Sequence, residues 1–210
     1  MKLEDQILQS DQWAQVKAGF GWQPVKLRLD DGTAVMTLKR KLPIVKKCFF
    51  YVPRGPLIDF DSPGPVKDFV NAAGKAAKEH GALFLRMDPE VPEDDARALD
   101  ILKSEGFVKA KKEVQPRSTF ILDLAPDLED IKAGFESKFR YNIHVAEKHG
   151  ISVRQGTDEG SIEEFYRIYE ETCSRQNFII HPVSYYKRIR SYIIEKGLGR
   201  VFTAYDGRTP

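Results

Sequence analysis

The sequence predicts an α/β fold with mixed sheets, built as two successive domains, and three observations carry that prediction. Stretches of alternating apolar and polar residues are interleaved with stretches of helical period through the first half of the chain. The same kind of order restarts after Pro126. The 210 residues are 41% hydrophobic and 30% charged, enough for one large or two small cores at about 100–200 residues per domain. That composition excludes a disordered tail, a collagenous repeat or a peptide held by disulfide staples.

The elements follow in order. Trp13 and Val16 mark a short helix that gives way at Gly19, and Val25-Lys26-Leu27-Arg28-Leu29 alternates like a half-buried strand. Asp30-Asp31-Gly32 supplies a hairpin turn, since glycine takes the positive φ such turns need. Residues 33–39 return as the partner strand and 47–52 form a third. Val66, Phe69, Val70, Ala73 and Ala77 keep helical spacing between Pro63 and Gly81. Ala82-Leu83-Phe84-Leu85-Arg86-Met87 is expected to be a buried strand stopped by Asp88-Pro89. A helix through Ala96, Leu99 and Leu102 closes at Gly106, and 118–124 is expected as a further strand.

Beyond Pro126, Leu128, Ile131 and Phe135 predict one helix, and Phe139, Ile143 and Ala146 a second that ends at Gly150. A strand at 151–154 precedes a helix carrying Ile162, Phe165, Tyr166 and Tyr169. Tyr186, Ile189 and Ile193 predict another helix, and 201–205 a strand running into an Asp206-Gly207 turn. The first half reads strand, Asp-Asp-Gly, strand; the end of the chain reads strand, Asp-Gly, and no return. A turn without its returning strand leaves an uncovered edge. The expectation is therefore an internal duplication cut short, with a first domain at 1–125 and the N-terminal part of a second at 126–210.

The formal net charge is +2, so a nucleic-acid partner requires a local patch rather than the global field. Residues 1–6 are polar and acidic where a signal peptide is basic and then apolar, and the longest apolar runs fall far short of the roughly 20 residues of a membrane span. Cys48 and Cys173 are too few for a disulfide framework or a metal site, and predict reduced thiols in a cytoplasmic protein. There is no P-loop, no G-x-G-x-x-G, no zinc spacing and no G-x-S-x-G element. No cofactor and no metal are expected.

Chemistry must then come from less stereotyped strings. In Tyr51-Val52-Pro53-Arg54-Gly55-Pro56, two prolines and a glycine hold Arg54 in a stiff loop at a strand end, suited to meeting an anion; the plain alternative is a solvated strand exit. Asp88 stands at the C-terminal end of an apolar strand, where ligands of open α/β sheets bind. It is a candidate to orient or deprotonate an amine, or else a turn former before Pro89. Lys109, Lys111, Lys112 and Arg117 surround one loop, while Lys138, Arg140, His144, Lys148 and His149 decorate one helix. Either cluster suits a phosphate backbone, and either suits a solvated face. His181-Pro182-Val183-Ser184-Tyr185-Tyr186 opens a helix with several donors.

Taken jointly, Trp13-x-x-Val16-Lys17, Gly21-Trp22-x-Pro24-Val25, Pro53-Arg54-Gly55-Pro56, residues 85–91, Gln115-Pro116-Arg117 before Leu122-Asp123-Leu124, and Lys138-x-Arg140-x-x-Ile143 resemble the FemABX family in order and spacing. The likeness runs from about Asp11 to the last residue. It implies two tandem acetyltransferase (GNAT)-like domains. It also implies transfer of an amino acid from aminoacyl-tRNA to the stem-peptide amine of a peptidoglycan precursor, either a UDP-muramyl peptide or a lipid-linked one, with contact at the inner membrane surface. Lys17 matches the family lysine of W-x-x-V-K, and His181 with Tyr185 matches an Arg-x-x-x-Tyr; together they are implied to bind the diphosphate end of the precursor, with Arg54 also on substrate. Histidine in place of that arginine lacks its planar fork and implies a weaker or different contact. Asp88 matches the carboxylate assigned as base or positioning group, and Lys138 and Arg140 are implied on the tRNA side. The aminoacyl ester is already activated, so positioning the amine and stabilising the oxyanion dominate the chemistry. Two other readings stand beside this one. The first is a chain that binds precursor or tRNA without catalysis. The second is an acyl-CoA-dependent N-acetyltransferase, whose usual Gln/Arg-x-x-Gly-x-Gly/Ala loop is absent.

Overall fold

A computed structural model describes residues 6–207 and 209–210. The N-terminal segment 1–5, where the missing leader signature was read, and Arg208 lie outside the described residues. The chain divides into two compact units, Met1–Arg117 and Ser118–Pro210.

The first unit begins with α1 (Asp11–Ala18), capped where the Ser10 hydroxyl accepts from the Trp13 N–H at 3.1 Å. β1 (Gln23–Arg28) and β2 (Ala34–Lys41) pair antiparallel, Leu27 opposite Val35. At their turn Gly32 has φ +88°, and the Asp31 carboxylate accepts from the Thr33 N–H at 2.8 Å. β3 (Cys48–Val52) continues antiparallel to β2, and β4 (Ala82–Met87) joins it in parallel. The sheet is therefore mixed, in the order β1-β2-β3-β4. A parallel pair needs a crossover, supplied here by α2 (Pro63–His80), which starts with Pro63 and stops at Gly81 with φ +67°. α3 (Ala96–Ser104) follows, its first turn capped by the Asp95 carboxylate.

Val66, Phe69, Ala73 and Ala76 on α2 pack with Leu27, Val35, Phe50 and Val52 of the sheet. On the opposite face α1 lies against β1 and β2, with Lys26 reaching Asp11 at 2.6 Å. Because both faces of β2 are covered, Val35, Met36, Thr37 and Leu38 are buried in succession. Thr37 is thereby enclosed with its Oγ1 lacking a hydrogen-bond partner among the described residues.

Two sequence expectations fail here for identifiable reasons. The apolar run of β4 is not a buried strand: Leu83 and Phe84 are 59% and 53% exposed. β4 is the edge of the sheet, and a register shift between Cys48 and Phe50 turns Ala82 and Leu85 toward the core while leaving the two residues between them outside. Residues 118–124 form no strand. They pair with no neighbour among the described residues, and Phe120, Ile121 and Leu124 face solvent. Alternation specifies which way side chains point, but a strand also requires a partner ladder.

The second unit contains α4 (Leu128–Ala133), α5 (Ser137–Lys148), β5 (Ile151–Gly156), α6 (Glu159–Gln176), α7 (Val183–Ile189) and β6 (Val201–Asp206). β5 and β6 are antiparallel with Ile151 opposite Asp206. The helix expected through Ile193 changes at Arg190 into a π turn, Arg190–Ile194, which buries both Ile193 and Ile194. α6 packs on α7 and β6, closing a small core around Ile162, Tyr185, Ile193 and Tyr205. Phe139 of α5 is exposed rather than part of an inward face.

Phe69→Ala should destabilise the first unit by about 3–5 kcal/mol, whereas Phe120→Ala should stay within about 0.5 kcal/mol of wild type; urea unfolding measures both. Thr37→Val removes an unpartnered buried hydroxyl and should raise stability by about 1 kcal/mol, read as a higher melting temperature.

Candidate functional site

The parallel pairing of β3 with β4 delivers the C-terminal ends of both strands to one end of the sheet. Tyr51 is in register with Arg86 and Val52 with Met87, and the Asp88 N–H extends the ladder by donating to the Val52 carbonyl at 3.2 Å. That register sets the Tyr51 phenol against Asp88: the hydroxyl donates to Asp88 Oδ2 at 2.5 Å and accepts from Gln115 Nε2 at 3.0 Å. Burial, and then the Asp88 bond, push the Tyr51 phenol far above its ordinary range. It therefore stays a neutral donor. A carboxylate has two oxygens, and Tyr51 engages one of them.

Arg54 follows directly. Its backbone has φ +46°, between buried Pro53 and a cis Gly55-Pro56 bond, and its guanidinium donates to the Pro116 carbonyl at 3.0 Å. Pro116 is the neighbour of Gln115, so Arg54 and Asp88 are tied to the same loop. The turn is held from the other side by Gln9, whose Nε2 donates to the Pro53 carbonyl at 2.7 Å and to the Met36 carbonyl at 3.2 Å. At Gly55 a Cβ would lie 2.7 Å from Gln9 Cδ, so a larger residue would displace the Gln9 amide from the turn it holds.

Lys17 lies close by in the same unit. Its ammonium sits over the Trp13 and Trp22 rings at 5.7 and 5.8 Å, and the Trp22 ring is 6.0 Å from that of Tyr51. Arg40 lies over Trp22 at 5.0 Å. Burial, and then the Arg40 charge, lower the Lys17 pKa. Lys17 and Asp88 are thus linked through the Trp22 and Tyr51 rings and the Tyr51 hydroxyl, and Arg54 joins them through the Gln115-Pro116 loop.

In the second unit His181 stacks on Tyr185 with ring centroids 4.0 Å apart. His181 is exposed and Tyr185 buried, and burial raises the Tyr185 phenol. Tyr186 beside it is pushed up to about 12 by burial and then Tyr169. Phe165, Tyr169 and Phe178 extend this aromatic group. On α5, Lys138 is exposed, whereas Arg140 donates to the Ala133 carbonyl at 3.1 Å and also to Phe135, capping the end of α4. In the first unit's basic loop, Lys109 and Arg117 both pair with Glu93.

Tyr51, Gln115, Trp22 and Gln9 carry this geometry although sequence reasoning assigned them no role. Tyr51 and Gln115 lie in the proline-containing strings already singled out, but their meeting depends on strand register. Among the described residues no group of three or more His, Cys, Asp or Glu side chains is placed to hold a metal, and no helix is long and apolar enough to cross a membrane.

The model of the FemAB family matches residues 2–104 and again 102–192. The lipid II:glycine glycyltransferase of Staphylococcus aureus is 26% identical over 208 residues, covering 93% of this chain and 49% of the relative. The same protein from strain USA300 gives the same figures. The crystal structure of FemX superposes with a TM-score of 0.84 at 26% identity, over 95% of this chain and 52% of that one. That likeness establishes the mixed α/β, two-domain acetyltransferase-like fold. The chain spans about half the length of the curated relatives it matches.

Tyr51→Phe should cost about 1.5 kcal/mol at neutral pH by removing the donor to Asp88. Stability held by the neutral phenol is complete below about pH 10, the unfolded value, and falls as pH climbs above it because the unfolded chain ionises first. Near-ultraviolet titration should show a late-ionising phenol in the wild type that is missing in Tyr51→Phe.

Proposed function

The chain belongs to the FemAB family, and from that premise we propose that it takes part in building the peptide bridge of peptidoglycan, moving an amino acid from aminoacyl-tRNA to the stem-peptide amine of a precursor. The observation that carries the reading is the match along 93% of the chain to a relative named for glycyl transfer on lipid II. The aminoacyl-tRNA donor, a lipid-linked or UDP-linked acceptor and a cytoplasmic location belong to the same proposal. So does the division into acetyltransferase-like domains at 1–125 and 126–210.

The residues are given roles consistent with their chemistry. Asp88, held by Tyr51, accepts a hydrogen bond from the incoming amine and orients its lone pair toward the ester carbonyl. As the amine attacks, the carbonyl becomes an oxyanion; collapse breaks the ester bond and the tRNA hydroxyl departs with the amine's proton. Arg54 and Lys17 offer cationic groups to the precursor's phosphates or carboxylates, and His181 and Tyr185 offer a stacked ring pair with a hydroxyl. Lys138 and Arg140 are assigned to the tRNA, Lys138 as an open cation and Arg140 in its capping position. An aminoacyl ester needs little activation, so binding and alignment supply most of the effect.

Incubating the protein with labelled glycyl-tRNA and lipid II, and then with other aminoacyl-tRNAs and a UDP-muramyl pentapeptide, should move label to the precursor. Asp88→Asn should lower kcat by about tenfold or more with little change in precursor KM, and Lys17→Ala should raise that KM by roughly tenfold, equivalent to about 1.4 kcal/mol of binding. No transfer from any aminoacyl-tRNA, or tight acetyl-CoA binding by calorimetry, would overturn the reading.

A further inference from the structure

We propose that the turn between β2 and β3 is a membrane-surface anchor that seats the first unit on an anionic lipid bilayer. Residues 39–47 run Lys-Arg-Lys-Leu-Pro-Ile-Val-Lys-Lys, with five cations and no acid. The Leu42 N–H donates to the Lys47 carbonyl at 2.9 Å, closing the turn immediately beyond the last ladder pair, Lys41 with Cys48. The tip is thereby thrust outward: Ile44 is 96% exposed and Val45 49%.

A lone exposed isoleucine is ordinary; its collar is what distinguishes this one. Lys39, Lys41, Lys46 and Lys47, with His80 at the end of α2, line a recess of about 310 Å³ at the base of the tip. Arg40 alternates to the other face of the sheet, over Trp22. Lys26, Lys103, Lys109 and Lys187 each have a carboxylate partner. None of the four collar lysines has one among the described residues.

An apolar point ringed by ammonium groups matches the interfacial zone of a bilayer. Ile44 and Val45 enter the boundary between headgroups and acyl chains, while the lysines keep their charges at the phosphates on long stems. A soluble polyanion such as RNA would satisfy the same lysines but leave Ile44 in water. Vesicle binding requires neither donor nor acceptor, so this role is independent of the transfer reaction proposed above.

The protein should sediment with vesicles containing phosphatidylglycerol but not with pure phosphatidylcholine. Salt should weaken the binding, since the screening length falls from about 8 Å at physiological ionic strength to about 3 Å at 1 M. Lys46→Gln with Lys47→Gln should cut partitioning about 25-fold, about fivefold per lysine. Ile44→Asp should cut it at least tenfold with an unchanged melting curve, because the side chain touches no core. Ile44→Trp should show an emission blue shift on anionic vesicles. The proposal is overturned if the wild type ignores anionic vesicles, if Ile44→Asp binds them as well as wild type does, or if the Ile44→Trp emission does not move. Lysine-dependent binding of bulk RNA without any vesicle binding would overturn it too.

Discussion

The parallel pairing of β3 with β4 is the constraint on which the candidate site depends. An antiparallel neighbour would bring the C-terminal end of one strand beside the N-terminal end of the other. The α2 crossover instead lets both strands finish at the same end, so the Tyr51 phenol and the Asp88 carboxylate meet although 37 positions separate them. Every other member attaches to that pair: Gln115 to the Tyr51 hydroxyl, Arg54 to the carbonyl next to Gln115, and Gln9 to the turn that carries Arg54.

Burial then sets the chemistry of the groups so assembled. Tyr51 is enclosed and bonded to a carboxylate, which keeps it neutral and donating. Lys17 stands over two indoles with Arg40 nearby, so its charge is less favoured than that of a solvated lysine. Low dielectric and a like charge act in the same direction on an ammonium group. The collar lysines at 39–47 instead stand around an exposed apolar tip, which suits a surface contact rather than an enclosed site.

Much of the fold was legible because local rules and tertiary structure agree. α2 begins at Pro63 and stops at Gly81 because proline presets the first turn and glycine accepts the left-handed cap. The hairpin at Asp31-Gly32 follows from glycine's positive φ in the same way. The lack of a strand at 118–124 is not legible because alternation carries no information about a partner, nor is the exposure of β4, because an apolar run does not reveal an edge or a register shift. Arg140 shows the same limit at the level of a side chain: its place in a basic cluster is visible in sequence, while its two bonds to the end of α4 are not.

By itself the sequence determined most of the element types and their order, the strand at 118–124 and the π turn at Arg190–Ile194 excepted, together with the lack of stereotyped cofactor and metal motifs and the residue strings through which the family is recognised. These depend on backbone preferences and side-chain chemistry within a few positions of each other. Only the tertiary structure decided that Tyr51 and Gln115 belong with Asp88 and Arg54, that Lys17 reaches them through Trp22, and that Ile44 projects beyond a ring of lysines. Those outcomes hang on strand register and on which faces are covered, and both are set by contacts between residues far apart in the chain.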